Sequence, residues 1–192
     1  MLQAAPKNVH IYLESNPNPN SLKFVVNDML VPEGLSFDFP DMESASLSPL
    51  AQELFAYPFV TRVFFMSNFV TVTKKEDIDW MEIQNTLKEH IRKYLEAGKF
   101  IIEANHAEEA PAEEETETTK KIKAILEEYI RPAVEQDGGA ITYHSFQNGI
   151  VKVRLQGSCS GCPSSTVTLK AGIENLFKRM LPGEVEAVEA LG

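Results

Sequence analysis

The stretch His106–Thr119, HAEEAPAEEETETT, is what most constrains the fold of this chain. It contains six Glu and one Pro, and no Lys, Arg or large apolar side chain. Such a segment buries too little apolar surface to offset the entropy lost on ordering, and its like charges repel. It reads as an extended, solvated tether; the other reading of the same composition is an acidic docking segment for a basic partner. On either reading no single core can run through it. The expected organisation is therefore a domain at 1–103, an acidic flexible linker at 104–118 and a domain at 119–192.

Composition then limits the class. With 43% hydrophobic and 24% charged residues, 192 residues suffice for two small cores and are too apolar for wholesale disorder. A formal net charge of -10 argues against nonspecific nucleic-acid binding, which relies on Lys and Arg displacing counterions from phosphate. No apolar run approaches the roughly 18 residues of a membrane span. The start MLQAAPKNVHIYLESNPN also lacks the basic and apolar regions of a secretory signal. The expected location is the cytoplasm or an organelle matrix.

In the second domain, TTKKIKAILEEYIRPAVEQDGG places Ile122, Ile125, Leu126, Tyr129 and Ile130 at helical spacing, with Thr119 as the cap. Asp137-Gly138-Gly139 then signals a tight turn needing positive φ, since no phosphate-loop pattern accompanies it. AITYHSF and IVKVRLQG flank an Asn-Gly pair, the strongest short-range hairpin signal. In the second run Val151, Val153 and Leu155 share one face and Lys152, Arg154 and Gln156 the other. Pro163 suits a first helical turn and opens a helix with Val167, Leu169, Ile173, Leu176 and Phe177 largely on one side. EVEAVEA gives a last strand, and the order of elements implies a small α+β layer structure.

Cys159 and Cys162 are the two cysteines of the chain, in a glycine-bearing loop (Gly157, Gly161) between the hairpin and that helix. Amide N–H groups and the helix's positive end at such a place favour thiolates, the form that binds metal or attacks disulfides. Both residues lie outside the apolar faces named above, so their replacement should spare the fold. Three readings stay open on spacing. A dithiol-disulfide oxidoreductase could use Cys159 as nucleophile and Cys162 as resolving thiol. Against it, the preceding strand reads as half of an antiparallel hairpin rather than part of a βαβ unit, and no aromatic residue flanks the motif. A metal centre wants four ligands, which two identical chains meeting at this loop would supply, as a cluster or as a zinc-stabilised adaptor dimer. The third reading is a turn whose cysteines merely pack.

The runs RPAVEQDGG and GSCSGCPSSTVTLKAGIENLF, with the hairpin between them, closely resemble the C-terminal domain of the NifU-like (Nfu) iron-sulfur cluster carriers. The resemblance covers essentially the whole second domain. It implies that Cys159 and Cys162 ligate an iron-sulfur cluster, commonly 4Fe-4S with 2Fe-2S the alternative, shared between two subunits. It also implies a homodimer when loaded, an upstream scaffold as donor and apo iron-sulfur proteins as clients. Ala140 stands where the family often carries an acidic residue; the cluster ligands are unaffected.

The first domain gives a proline- and asparagine-rich turn before a strand (NPNPNSLKFVVN), then a helix, a strand, a Ser67-Asn68 turn and another strand. A helix follows with Ile78, Met81, Ile83, Leu87, Ile91, Tyr94 and Leu95 as its apolar set, ended by Gly98. This α+β pattern resembles the Nfu N-terminal domain over about 85 residues, including NPNSLKF and SPLAQELF. Client recognition is the role it suggests. Phe59, Phe64, Phe65 and Phe69 read mainly as core, with a partner groove as the alternative. His10, His90, His106 and His144 make no ligand-spaced cluster. No catalytic arrangement is visible, and the expectation is a non-enzymatic carrier built of two small α+β domains.

Overall fold

The computed structural model describes residues 2–3, 8–102, 116–160 and 163–191. The chain divides into compact units at Met1–Ala107 and Glu108–Gly192, both mixed α and β. Of the acidic linker expected at 104–118, residues 104–115 lie outside the described residues, whereas Thr116 caps a helix and Glu117 and Thr118 are its first residues.

The first unit is an antiparallel five-stranded sheet in the order β2-β3-β6-β5-β4, from Ile11–Ser15, Ser21–Val26, Phe69–Lys74, Val60–Met66 and Ser36–Phe39. Helices α1 (Pro49–Phe55) and α2 (Trp80–Glu96) cover it, and β1 (Leu2–Gln3) pairs with β7 (Phe100–Ile102). The turns follow the sequence: Ser67 adopts φ 48 and Gly98 φ 63. In the Asn-rich loop the Asn16 and Asn18 side-chain carbonyls accept from the N–H two residues on, and Trp80 Nε1 donates to the Pro19 carbonyl.

Ile83, Leu87, Ile91, Tyr94 and Leu95 bury as expected, but Met81 is 74% exposed. It lies about 200° round the helix from Ile83 at roughly 100° per residue. The aromatic stretch is core. Phe65 joins the main cluster, and Phe64 and Phe69 are buried on the opposite face of the sheet, rings 6.1 Å apart with Lys23 Nζ 4.4 Å from the Phe69 centroid. This strand pair is buried on both faces, which is why it is more apolar than simple alternation requires. The partner-groove alternative is not supported.

The second unit is a three-stranded sheet, β10-β9-β8, with β8 (Gly139–Gln147) antiparallel to β9 (Ile150–Gly157) and β10 (Ala187–Leu191) parallel to it. Asn148 and Gly149 close the hairpin with φ 50 and 77, the doubly positive turn that matches strand twist. Helix α5 (Pro163–Met180) makes the crossover between β9 and β10. Its Ile173 and Phe177 are buried, whereas Val167 is 67% exposed, six residues and so about 240° from Ile173.

The helical segment before the hairpin differs from expectation in two respects. Thr116, not Thr119, is the cap: its Oγ1 accepts from Thr119 N, and Thr119 is buried inside α3 (Glu117–Ile125). The run is also not one regular helix. Leu126–Ile130 form a π turn, closed by Arg131 N donating to the Leu126 carbonyl, before α4 (Arg131–Gln136). Pro132 has no N–H for the Glu128 carbonyl and its ring crowds that position, so the helix widens one turn earlier. The extra residue carries Tyr129 out to 49% exposure.

Candidate functional site

Strand β9 ends at Gly157, whose φ of 65 turns the chain into the loop before α5. Cys159 lies in that loop and packs inward. It is 7% exposed and belongs to the apolar cluster with Val134, Leu155 and Ile173, contrary to the expectation that both cysteines lie outside the core. The alternation of β9 sends Val151, Val153, Leu155 and Gly157 inward, and the tight turn at Gly157 returns Cys159 to the same side. Cys162 lies outside the described residues.

The Cys159 loop is laced to the turn after α4. Gly138 adopts φ 77, as the sequence predicts for Asp137-Gly138-Gly139. Ser158 N donates to the Gly138 carbonyl at 3.3 Å, Ser158 Oγ donates to the Asp137 carbonyl, and the same Oγ lies 3.8 Å from Cys159 Sγ. Burial pushes the Cys159 thiol above the usual range; the Ser158 hydroxyl lowers it and the Asp137 charge raises it further. The thiolate-favouring setting read from the loop and helix start is thus overridden at Cys159 by desolvation.

These features bear on the redox reading. β9 is half of an antiparallel hairpin and also the first strand of a parallel β9-α5-β10 crossover, so strand context does not count against a redox dithiol. Burial does. An attacking thiol needs access and a lowered pKa, and Cys159 has neither. A metal ligand needs access as well but no lowered pKa, because a bonded iron replaces the proton and stabilises the sulfur's charge directly.

Among the described residues no group of three or more His, Cys, Asp or Glu could hold a metal ion. His10 is exposed, and His144 Nδ1 lies 3.1 Å from Ser145 Oγ. His90 bridges Tyr57 Oη at 3.0 Å and Glu53 Oε2 at 2.9 Å. His106 lies outside the described residues. Nor is any helix among them long and apolar enough to cross a membrane. Ser158 is the residue of this loop that motif reading passed over, since it belongs to no ligand pattern, and Gly139, whose Cα lies against the Cys159 side chain, was read only as part of the turn.

Comparison with known proteins bears on what this loop is. The family model described as scaffold protein Nfu/NifU N terminal matches residues 11–98, and the NifU-like domain model matches residues 122–189. The chain belongs to the NifU-like (Nfu) family. A Drosophila willistoni relative, "NFU1 iron-sulfur cluster scaffold homolog, mitochondrial", is 40% identical over 98% of this chain and 66% of its own length. The Homo sapiens protein of the same name is 42% identical over 93% and 70%, and "NifU-like protein 4, mitochondrial" of Arabidopsis thaliana 42% over 95% and 66%. The chain thus spans about two thirds of the length of these relatives. A solution structure of a NifU-like protein from Saccharomyces cerevisiae aligns with 51% of this chain and 87% of its own at 24% identity, with a TM-score of 0.43.

Proposed function

We propose that this Nfu-family chain carries an iron-sulfur cluster, held through Cys159 and Cys162, and hands it to apo iron-sulfur proteins. The observation that carries the reading is the Cys159 loop, a cysteine tied to a glycine turn at the strand-to-helix junction within the segment matched by the NifU-like domain model. The iron-sulfur scaffold names of the relatives support the cargo. A cluster of the 4Fe-4S type takes four thiolates and each chain has two cysteines, so two chains share one cluster. The 2Fe-2S form is the alternative cargo.

The chemistry asked of the protein is ligand exchange, not turnover of a substrate. Client thiolates replace Cys159 and Cys162 one at a time, and no side chain acts as acid, base or nucleophile toward a carbon or phosphorus centre. The first domain, joined by the acidic tether, recruits clients, and an upstream scaffold supplies the cluster. Both thiols need a reducing compartment. The cytoplasm and an organelle matrix meet that need, and the mitochondrial names of the relatives favour the matrix.

Anaerobic reconstitution with ferrous iron and sulfide tests the reading. The expected product is a brown dimer with about two irons per chain, returned to monomer by chelation. Cys159→Ala or Cys162→Ala abolishes stable binding. A strictly monomeric holoprotein, or stoichiometric iron and sulfide in the double cysteine variant, would overturn it.

A further inference from the structure

The second glycine of Asp137-Gly138-Gly139 needs an explanation that turn geometry does not give. Gly138 has the positive φ; Gly139 does not, and is already the first residue of β8, in register with Gly157. Close approach is the reason. A Cβ on Gly139 would lie 2.8 Å from Cys159 Sγ, 3.3 Å from Cys159 Cβ and 2.6 Å from the Gln156 carbonyl oxygen. The Cys159 sulfur therefore packs onto the bare Cα of Gly139. Ser158, itself 2% exposed, fastens the loop over it through the Asp137 and Gly138 carbonyls. A sulfur covered in this way cannot reach an iron shared with a second chain, nor be reached by a client's thiolate. The residue needs two positions, one inside and one out.

We propose that the Asp137–Gly139 turn and Ser158 form a seat that stores the Cys159 side chain inside the empty protein, and that leaving this seat sets how readily a cluster is accepted and how firmly it is kept. The proposal rests on the cluster-carrying reading of Cys159. Its sign is fixed by linkage. If only the unseated form holds iron, the apparent affinity is the intrinsic affinity multiplied by the unseated fraction, so a weaker seat tightens retention. The seat then assists delivery: a Cys159 displaced from iron withdraws into the core instead of rebinding. In that exchange one iron–sulfur bond to Cys159 breaks and one to the client cysteine forms. The client thiol gives up a proton, Cys159 takes one, and no electron changes hands.

The test uses the full-length chain. In a Cys162→Ala background without cluster, iodoacetamide should alkylate native Cys159 at least about tenfold more slowly than in the same chain unfolded in urea at the same pH. Ser158→Ala, which removes the hydroxyl tie to the Asp137 carbonyl without adding bulk and keeps the backbone tie to Gly138, should raise the native rate on the order of tenfold, the worth of one buried hydrogen bond. Gly172→Ala should leave it unchanged, because a Cβ there meets nothing within 4 Å. With both cysteines present and a cluster reconstituted, Ser158→Ala should lose iron to a ferrous chelator more slowly than the native protein. Should Ser158→Ala fail to fold, the native-against-urea comparison decides. Equal native and unfolded rates, no effect of Ser158→Ala on alkylation, or faster iron loss from that variant would each overturn the proposal. A native chain that takes up no cluster, with the alkylation differences intact, would instead remove the cluster-carrying reading and the delivery role built on it, while supporting the seat itself.

Discussion

Removing the Ser48 hydroxyl separates the two halves of the chain by their stabilities. Ser48 is fully buried, and its Oγ serves two elements: it accepts from Ala51 N at 3.1 Å as the cap of α1, and donates to the Ile101 carbonyl of β7 at 2.7 Å. Ser48→Ala loses the cap, about 1 kcal/mol. It also strands a buried carbonyl, about 1–3 kcal/mol. The sum is about 2–4 kcal/mol against the roughly 5–15 kcal/mol of a typical domain, so the first unit stays folded at room temperature. For a domain of roughly 100 residues each kcal/mol moves Tm by about 4–8 °C, which puts the drop at about 8–32 °C. Scanning calorimetry of the full-length chain is the assay. The expected record has two transitions, of which only the one belonging to the first unit moves, and cluster uptake at 20 °C is unchanged. A drop of less than about 4 °C, or a parallel drop in both transitions, would refute the argument.

Three further outcomes follow from the same geometry. Gly149→Ala places an alanine at φ 77 with its Cβ 3.0 Å from Glu186 Cγ, and should cost about 1–2 kcal/mol, read as a lower Tm for the second unit with the first unmoved. Cys159→Ala should also lower that transition, by roughly 1 kcal/mol, because Cys159 is part of the core; an unchanged Tm would return it to the surface loop expected from sequence. Burial pushes the Glu53 carboxyl up, but the hydrogen bonds and charges of Lys99 and His90 outweigh it and hold the group below its ordinary value of 4.5. Its folded pKa is the lower one, so its contribution is present above the unfolded value and is lost as pH falls through the folded value. Glu53→Gln should therefore reduce the loss of Tm on acidification below about pH 4.5, and identical acid profiles would remove Glu53 from the account.

How much of the site could be read from sequence varied with the range of the interaction. The Asn148-Gly149 hairpin, the Gly138 turn and the opening of α5 at Pro163 were legible because each depends on the conformational limits of one or two residues. The interruption at Leu126–Ile130 was half legible: Pro132 was visible, but periodicity alone does not show whether a helix stops, kinks or widens before a proline. Val167 and Met81 were misplaced because apolar type was taken for apolar face, and a helix tolerates single exposed hydrophobics.

Sequence alone determined that there are two α+β units, that an acidic stretch separates them, and that the two cysteines stand between a strand and a helix. These are matters of composition, periodicity and local backbone preference, which act over a few residues. Tertiary structure alone decided where the Cys159 sulfur goes. Its burial depends on β8 pairing with β9 so that Gly139 meets Gly157, and on Ser158 reaching back 21 residues to the Asp137 carbonyl. A missing Cβ counts for nothing until another segment packs within 3 Å of the place it would occupy, and that proximity exists only once the chain has closed on itself.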